Sequence, residues 1–215
     1  VIKVMEVRHQ VAIAGIVTDA ATEKRLGGVT VKIVEMPAAL ERALAWKMKA
    51  ARKGSKQNAR LRDAYRTKTA PDGLFYFLDL PDGSYTIAVA LEALGSRYGT
   101  AKGSAKVKRD AERNIALPFL EMALHATSVE GRVMAGKSGV TMAEIRVKGS
   151  DERTFSDAHG HYILRGIEPG KRVVLASARG CKQASKPITI EQPGDVATVN
   201  FALAPETSER ASGTI

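Results

Sequence analysis

The 215-residue chain contains one cysteine, Cys181, one tryptophan, Trp46, four histidines and only 5% aromatics. A single thiol excludes an internal disulfide and any zinc site built from several cysteines. No apolar run reaches the roughly 18–20 residues that a membrane-spanning helix needs. Neither His-Glu-x-x-His nor Gly-x-Ser-x-Gly occurs. Gly-Lys-Ser does occur at 136–138, with Gly131 where a P-loop would have its first glycine. Gly131 belongs to a strand pattern, however, so no phosphate loop is expected there. Residues 1–9 lack the basic head and long apolar centre of a secretory signal. If Val1 is the native start, that favours a cytoplasmic or particle-associated protein. If the chain is trimmed, the cell envelope or the exterior is equally open.

What the chain does have is a turn-and-strand unit used twice. Asp72-Gly73 and Asp82-Gly83 are turn dipeptides, each followed by a short aromatic and β-branched run. The unit returns with Gly160, Tyr162, Leu164, Ile167 and Gly170 in the places of Gly73, Phe75, Phe77, Leu80 and Gly83, 87 residues on. Upstream, Ile13, Gly15 and Val17 match Val129, Gly131 and Val133 at an offset of 116, and Val29, Val31 and Ile33 match Ala143, Ile145 and Val147 at 114. Residues 114–117 match 200–203 at 86. Matches in constant order with one large drop in offset indicate a duplication with one insertion in the first copy.

The insertion is basic. Between residues 37 and 70 there are ten Lys/Arg and two acids, so most of the +10 formal charge lies in one place. Pro37 suits a helix start, Glu41 its first turn and Gly54 its end. Leu40, Leu44, Met48 and Ala51 share one helical face, with Lys47, Lys49, Arg52 and Lys53 off it. The expectation is a helix of about four turns, followed by a basic loop with a second helical turn near 59–65. Residues 96–108, rich in Gly, Ser and Lys, read as an exposed edge hairpin. The apolar stretch 118–126 reads as the join between two abutting modules. The tail, 205–215, has the composition of a disordered end.

These patterns predict an all-β chain: two tandem Ig-like antiparallel β-sandwiches, the first with an inserted basic α-helix. The expected boundaries are a lead at 1–10, a first sandwich at 11–124 with the insert at 37–68, a second sandwich at 125–204 and the tail at 205–215. The motif Gly73, Phe75, Phe77, Leu80, Gly83, Tyr85, Ile87 resembles that of the carboxypeptidase regulatory-like family. The second copy is looser, with Arg172 in place of the tyrosine. That resemblance implies transthyretin-like or prealbumin-like sandwiches akin to the Cna-B surface repeats, and a non-catalytic role as stalk or appendage. Some Cna-B relatives form a Lys–Asn isopeptide bond from a lysine on the first strand. Neither first strand here has a lysine, so none is expected. Starch-binding relatives use exposed aromatics, but the lone tryptophan lies in the insert, which argues against sugar binding.

Asp157, His159 and His161 are the one cluster that invites a metal or acid–base reading. Gly160, between the two histidines, aligns with a turn glycine, so the cluster reads as a turn and not as a metal site. Cys181 has Arg179 and Lys182 nearby but no histidine placed as a base. No catalytic residue, cofactor or metal is therefore expected. The candidate partner-binding residues are Arg42, Trp46, Lys47, Lys49, Arg52, Lys53, Lys56, Arg60 and Arg62. Nucleic acid is poorly served, with only Trp46 and Tyr65 as aromatics. A membrane is poorly served by so short an apolar stripe. An acidic protein surface fits best. The leading expectation is a non-catalytic assembly protein of a larger particle, such as a contractile, phage-tail-like injection particle, docking through the insert and tail. Homo-oligomerisation is compatible with it. The alternatives are a cell-surface adhesion or ligand-binding module, and an anion (nucleic-acid) binder.

Overall fold

A computed structural model of the chain describes residues 9–51, 56, 61 and 65–206. It divides into two compact units: Val1–Gly95 with Gly99–His125, and Ala126–Ile215 with the short Ser96–Tyr98 segment.

In the first unit, β1 (Val11–Asp19) lies between β4 (Leu74–Leu78) and β7 (Phe119–Leu124). A second sheet has the order β3 (Arg66–Lys68), β2 (Thr30–Glu35), β5 (Gly83–Ala90), β6 (Thr100–Val107). The period-2 runs put Ile13, Val17, Val29, Val31, Phe75, Phe77, Ile87 and Leu124 inside, all under 5% exposed. Each such side chain stabilises the fold by about 1.5–3 kcal/mol relative to exposure.

The second unit repeats this plan. Here β8 (Ser128–Ala135) lies between β12 (His161–Arg165) and β15 (Val196–Thr198), with β9 (Ser138–Gly139) and β16 (Phe201–Ala202) also pairing β8. The second sheet has the order β11 (Arg153–Phe155), β10 (Glu144–Val147), β13 (Gly170–Ser177), β14 (Ala184–Ile190). Strand order is the same in both units, as a duplication requires. Each first sheet also contains parallel pairing, β1 with β7 and β8 with β15 and β16, because the last strand returns beside the first.

Side-chain devices repeat as well. Thr69 Oγ1 accepts from Val29 N–H and donates to Leu26 O; Ser156 Oγ does the same with Ala143 N–H and Val140 O. Tyr85 donates its hydroxyl to Pro81 O at 2.7 Å, and burial pushes that phenol up to about 12. At the matching position Arg172 Nε donates to Glu168 O, the carbonyl four residues upstream as in the first copy, at 3.1 Å. The arginine thus replaces the tyrosine's hydrogen bond, which explains the looser motif. Gly73 and Gly160 sit at φ +78° and +79°, where a side chain would be strained.

Three expectations need correction. Residues 118–126 are not a join, since Phe119–Leu124 is the closing strand β7. Its register places Met122 opposite Val17 as Phe201 is opposite Val133, so the true offset of the last strands is 79. Residues 114–117 precede β7, with Leu117 48% exposed, whereas Met122 is 5% and Phe201 2% exposed. Residues 96–108 do not form a hairpin of their own; β6 is the edge strand pairing β5, and its outward Lys102 and Lys106 guard that edge. The 136–138 segment closes the β8–β9 hairpin, with Gly136 at φ +61°.

Candidate functional site

The inserted helix, α1, spans Ala38–Ala50 and follows Pro37, whose φ of −54° is pre-set for a helix entry. Leu40 N–H and Glu41 N–H both reach Pro37 O. Five alanines keep the helix cost low. Glu41 in the first turn and Lys47 and Lys49 in the last complement the macrodipole. The helix ends at Ala51, extended at ψ 132°, and not on a glycine cap; Gly54 lies outside the described residues. Lys56 and Leu61 are helical beyond it.

Leu40, Leu44 and Met48 are half-buried and Ala51 is buried, on the face the spacing predicts. Leu44 and Met48 line a cleft of about 410 Å³ with Ile33, Met36, Leu61 and Tyr65. No helix residue is fully buried, so α1 rides on the first sandwich without entering its core.

At about 100° per residue, Arg42, Trp46 and Lys49 fall at i, i+4 and i+7 on the face turned from that cleft. Trp46 is 71% exposed, and Arg42 and Lys49 are exposed on either side of it. Lys47 is exposed too, but lies toward the flank of the apolar stripe and not on this line. Lys56 is exposed. Arg52, Lys53, Arg60 and Arg62 lie outside the described residues. Among the described residues no ion pair reaches Arg42, Lys47 or Lys49. Arg66, from the same basic stretch, is different: with Lys32 it grips Glu92 at 2.6 and 2.7 Å. The hydrogen bond from Lys32 is the main reason Glu92 stays below the usual carboxylate range.

The Asp157 cluster is built as a turn. The Asp157 carboxylate accepts N–H bonds from His159 and His161, both at 2.8 Å, and Gly160 N–H closes onto Asp157 O. The His161 N–H bond is the largest cause holding that carboxyl below its ordinary value. Among the described residues no group of three or more His, Cys, Asp or Glu could hold a metal. Cys181 is half-buried against the second core and bridges to Pro205.

Three exposed aromatics were passed over in the sequence: Tyr76, 60% exposed, Phe119, 52% exposed, and Phe155, 48% exposed. The signal was present in Leu74-Phe75-Tyr76-Phe77-Leu78, where both alternating sets are apolar. A strand with one face in water shows only one such set.

The carboxypeptidase regulatory-like domain model matches residues 128–204. No curated protein matches the chain. Among solved structures, a Streptococcal ancillary pilin is similar over 94% of this chain and 64% of its own, at 14% identity and a TM-score of 0.38. The Bacillus anthracis TIE protein is similar over 91% of this chain and 34% of its own, at 12% identity and 0.35. The shaft pilin SpaA from Lactobacillus rhamnosus GG is similar over 93% and 98%, at 14% and 0.40. The chain therefore spans less than two thirds of the first two of these, and likeness at this level assigns no function. The matched model falls within the second unit, and the first unit repeats that unit's strand order around an inserted helix.

Proposed function

We propose that this chain is a non-catalytic assembly module of a larger multi-subunit particle, held there by the outward stripe of α1 against an acidic protein surface. The observation that carries this reading is Trp46, 71% exposed between two exposed cations that no carboxylate among the described residues pairs. Tryptophan and arginine dominate the energetics of protein interfaces, whereas a solvated helix face has no use for a bare indole. The second copy of the fold does without any helix at this position, so the sandwich itself does not need one. Cations on the rim of such a site steer an acidic partner and set its register.

Reversing charge at Arg42, Lys47 and Lys49 to Glu tests it. These side chains are exposed and only the dipole contribution of Lys47 and Lys49 is lost, so thermal stability should stay within about 1–2 kcal/mol of the parent. Binding to immobilised poly-glutamate at about 50 mM salt should fall at least 30-fold, since the site changes sign. Binding unchanged within about twofold would contradict the reading.

A further inference from the structure

The first unit also carries an exposed apolar sheet face. On the outer face of the β4-β1-β7 sheet, Ala14 pairs with Tyr76 on one side and Phe119 on the other, in one row. Ile16 pairs with Leu74 in the next row. Leu74 and Leu78 are 39% and 41% exposed, beside the two aromatics, so the face is a continuous apolar platform. Single exposed apolar residues are ordinary, but a contiguous patch marks an interaction surface.

The duplication supplies an internal control. The same face of the second unit carries His161, Ile163 and Arg165 on β12, Glu130 and Arg132 on β8, and Val196 and Thr198 on β15, so charge interrupts its two exposed apolar residues. One topology thus works with a charged outer face, and nothing in its folding calls for the apolar one. Tyr76 and Phe119 stand two strand spacings apart, about 10 Å. The methyl of Ala14 lies between them, leaving a slot of the width that takes one flat ring. The border of this face carries Asp72 at one end of β4 and Glu121 on β7, against Arg25 beyond Thr18, while Asp79 at the other end of β4 is already held by His9 and Gln10 N–H. Two carboxylates, Asp72 and Glu121, beside an aromatic slot complement a tryptophan with a cation one turn to either side.

We infer that the acidic partner of α1 is a second copy of this chain: Trp46 enters the Tyr76–Ala14–Phe119 slot while Arg42 and Lys49 meet the carboxylate border. This rests on the reading of α1 as a docking helix. Donor and acceptor are different surfaces, so the contact is heterologous and propagates copy to copy into a ring or filament. Salt weakens it, because its rim is ionic.

The test is mass by sedimentation velocity on the full chain. The wild type should grow in average mass with concentration. A donor variant, Trp46→Ser with Arg42→Glu, and an acceptor variant, Tyr76→Ser with Phe119→Ser, should each remain monomeric at tenfold higher concentration. All four positions are exposed, and unchanged melting of each variant confirms the fold. Mixed one to one, the two variants should form a dimer that grows no further, because each retains the surface that the other lacks. A wild type that stays monomeric near 1 mM overturns the inference, as does a mixture that remains monomeric. If it is overturned while α1 charge reversal still abolishes poly-glutamate binding, the docking reading stands and the partner is another protein. If charge reversal also changes nothing, both fall.

Discussion

Gly131→Ala should unfold the second unit. A Cβ at that position would lie 1.8 Å from Val199 O and 2.6 Å from Val199 C, and both are backbone atoms. They cannot withdraw cheaply. Val199 N–H donates to Glu130 O at 2.7 Å, Val199 O accepts the buried Tyr162 hydroxyl at 2.7 Å, and Asn200 Oδ1 accepts Arg132 N–H at 2.8 Å. Making room for one methyl group therefore breaks the closing-strand pairing and leaves buried polar groups unpaired. The expected loss is about 4 kcal/mol or more. Gly15 occupies the same position in the first copy, with Leu120 O and the Phe75 ring each 2.5 Å from the absent Cβ. Gly103→Ala is the control, since its nearest neighbour is the mobile end of Met122 at 3.4 Å. It should change stability by less than about 1 kcal/mol. Hydrogen exchange resolved by peptide separates the cases. In Gly131→Ala, β8, β12 and β13 lose protection while β2 and β5 keep theirs. Retained protection throughout would contradict the account.

Phe201→Ala should cost nearly as much, about 3–5 kcal/mol by urea unfolding. The ring is 2% exposed, lies 6.4 Å from Tyr162 centroid to centroid and has the Lys186 ammonium 6.0 Å above it. Removing it leaves a cavity at the centre of the second core. The corrected register adds a sharper expectation. Because Met122 holds this position in the first copy, Phe201→Met keeps the volume and should cost less than about 1.5 kcal/mol. Equal losses for Ala and Met would show that the closing strands are not equivalent.

Much of this fold was legible because its signals are local. Period-2 runs starting at Ile13, Val29 and Phe75, with turn glycines at 73, 83, 160 and 170, need no knowledge of distant pairing. The stripe Leu40, Leu44, Met48 and Ala51 was equally plain, and it is the face α1 turns inward. The closing strand was not, because its partner β1 lies about a hundred residues away and the pairing is parallel. Its alternation, Leu120, Met122, Leu124, was present but was read as a join. The 114–117 and 200–203 stretches look alike in letters, yet only the second forms a strand against the first of its unit. The Tyr76–Phe119 slot was hidden for the same reason. Its two walls come from β4 and β7, and only the register across β1 sets them side by side. The hydroxyls of Thr69 and Ser156 carry no local signal that they bridge two strand ends. Of the candidate site, Arg42, Trp46 and Lys49 emerge as one line, whereas Lys47 stands apart because residue 47 turns back toward the cleft.

The most direct test of the account is the rate at which hydroxyl radicals oxidise Trp46, in the purified dilute chain and in the assembly proposed to contain it. An indole clasped between a partner's side chains should react at least about tenfold more slowly there than in free solution. Equal rates in the two states would leave α1 a solvated ornament, and the proposed means of attachment would be wrong.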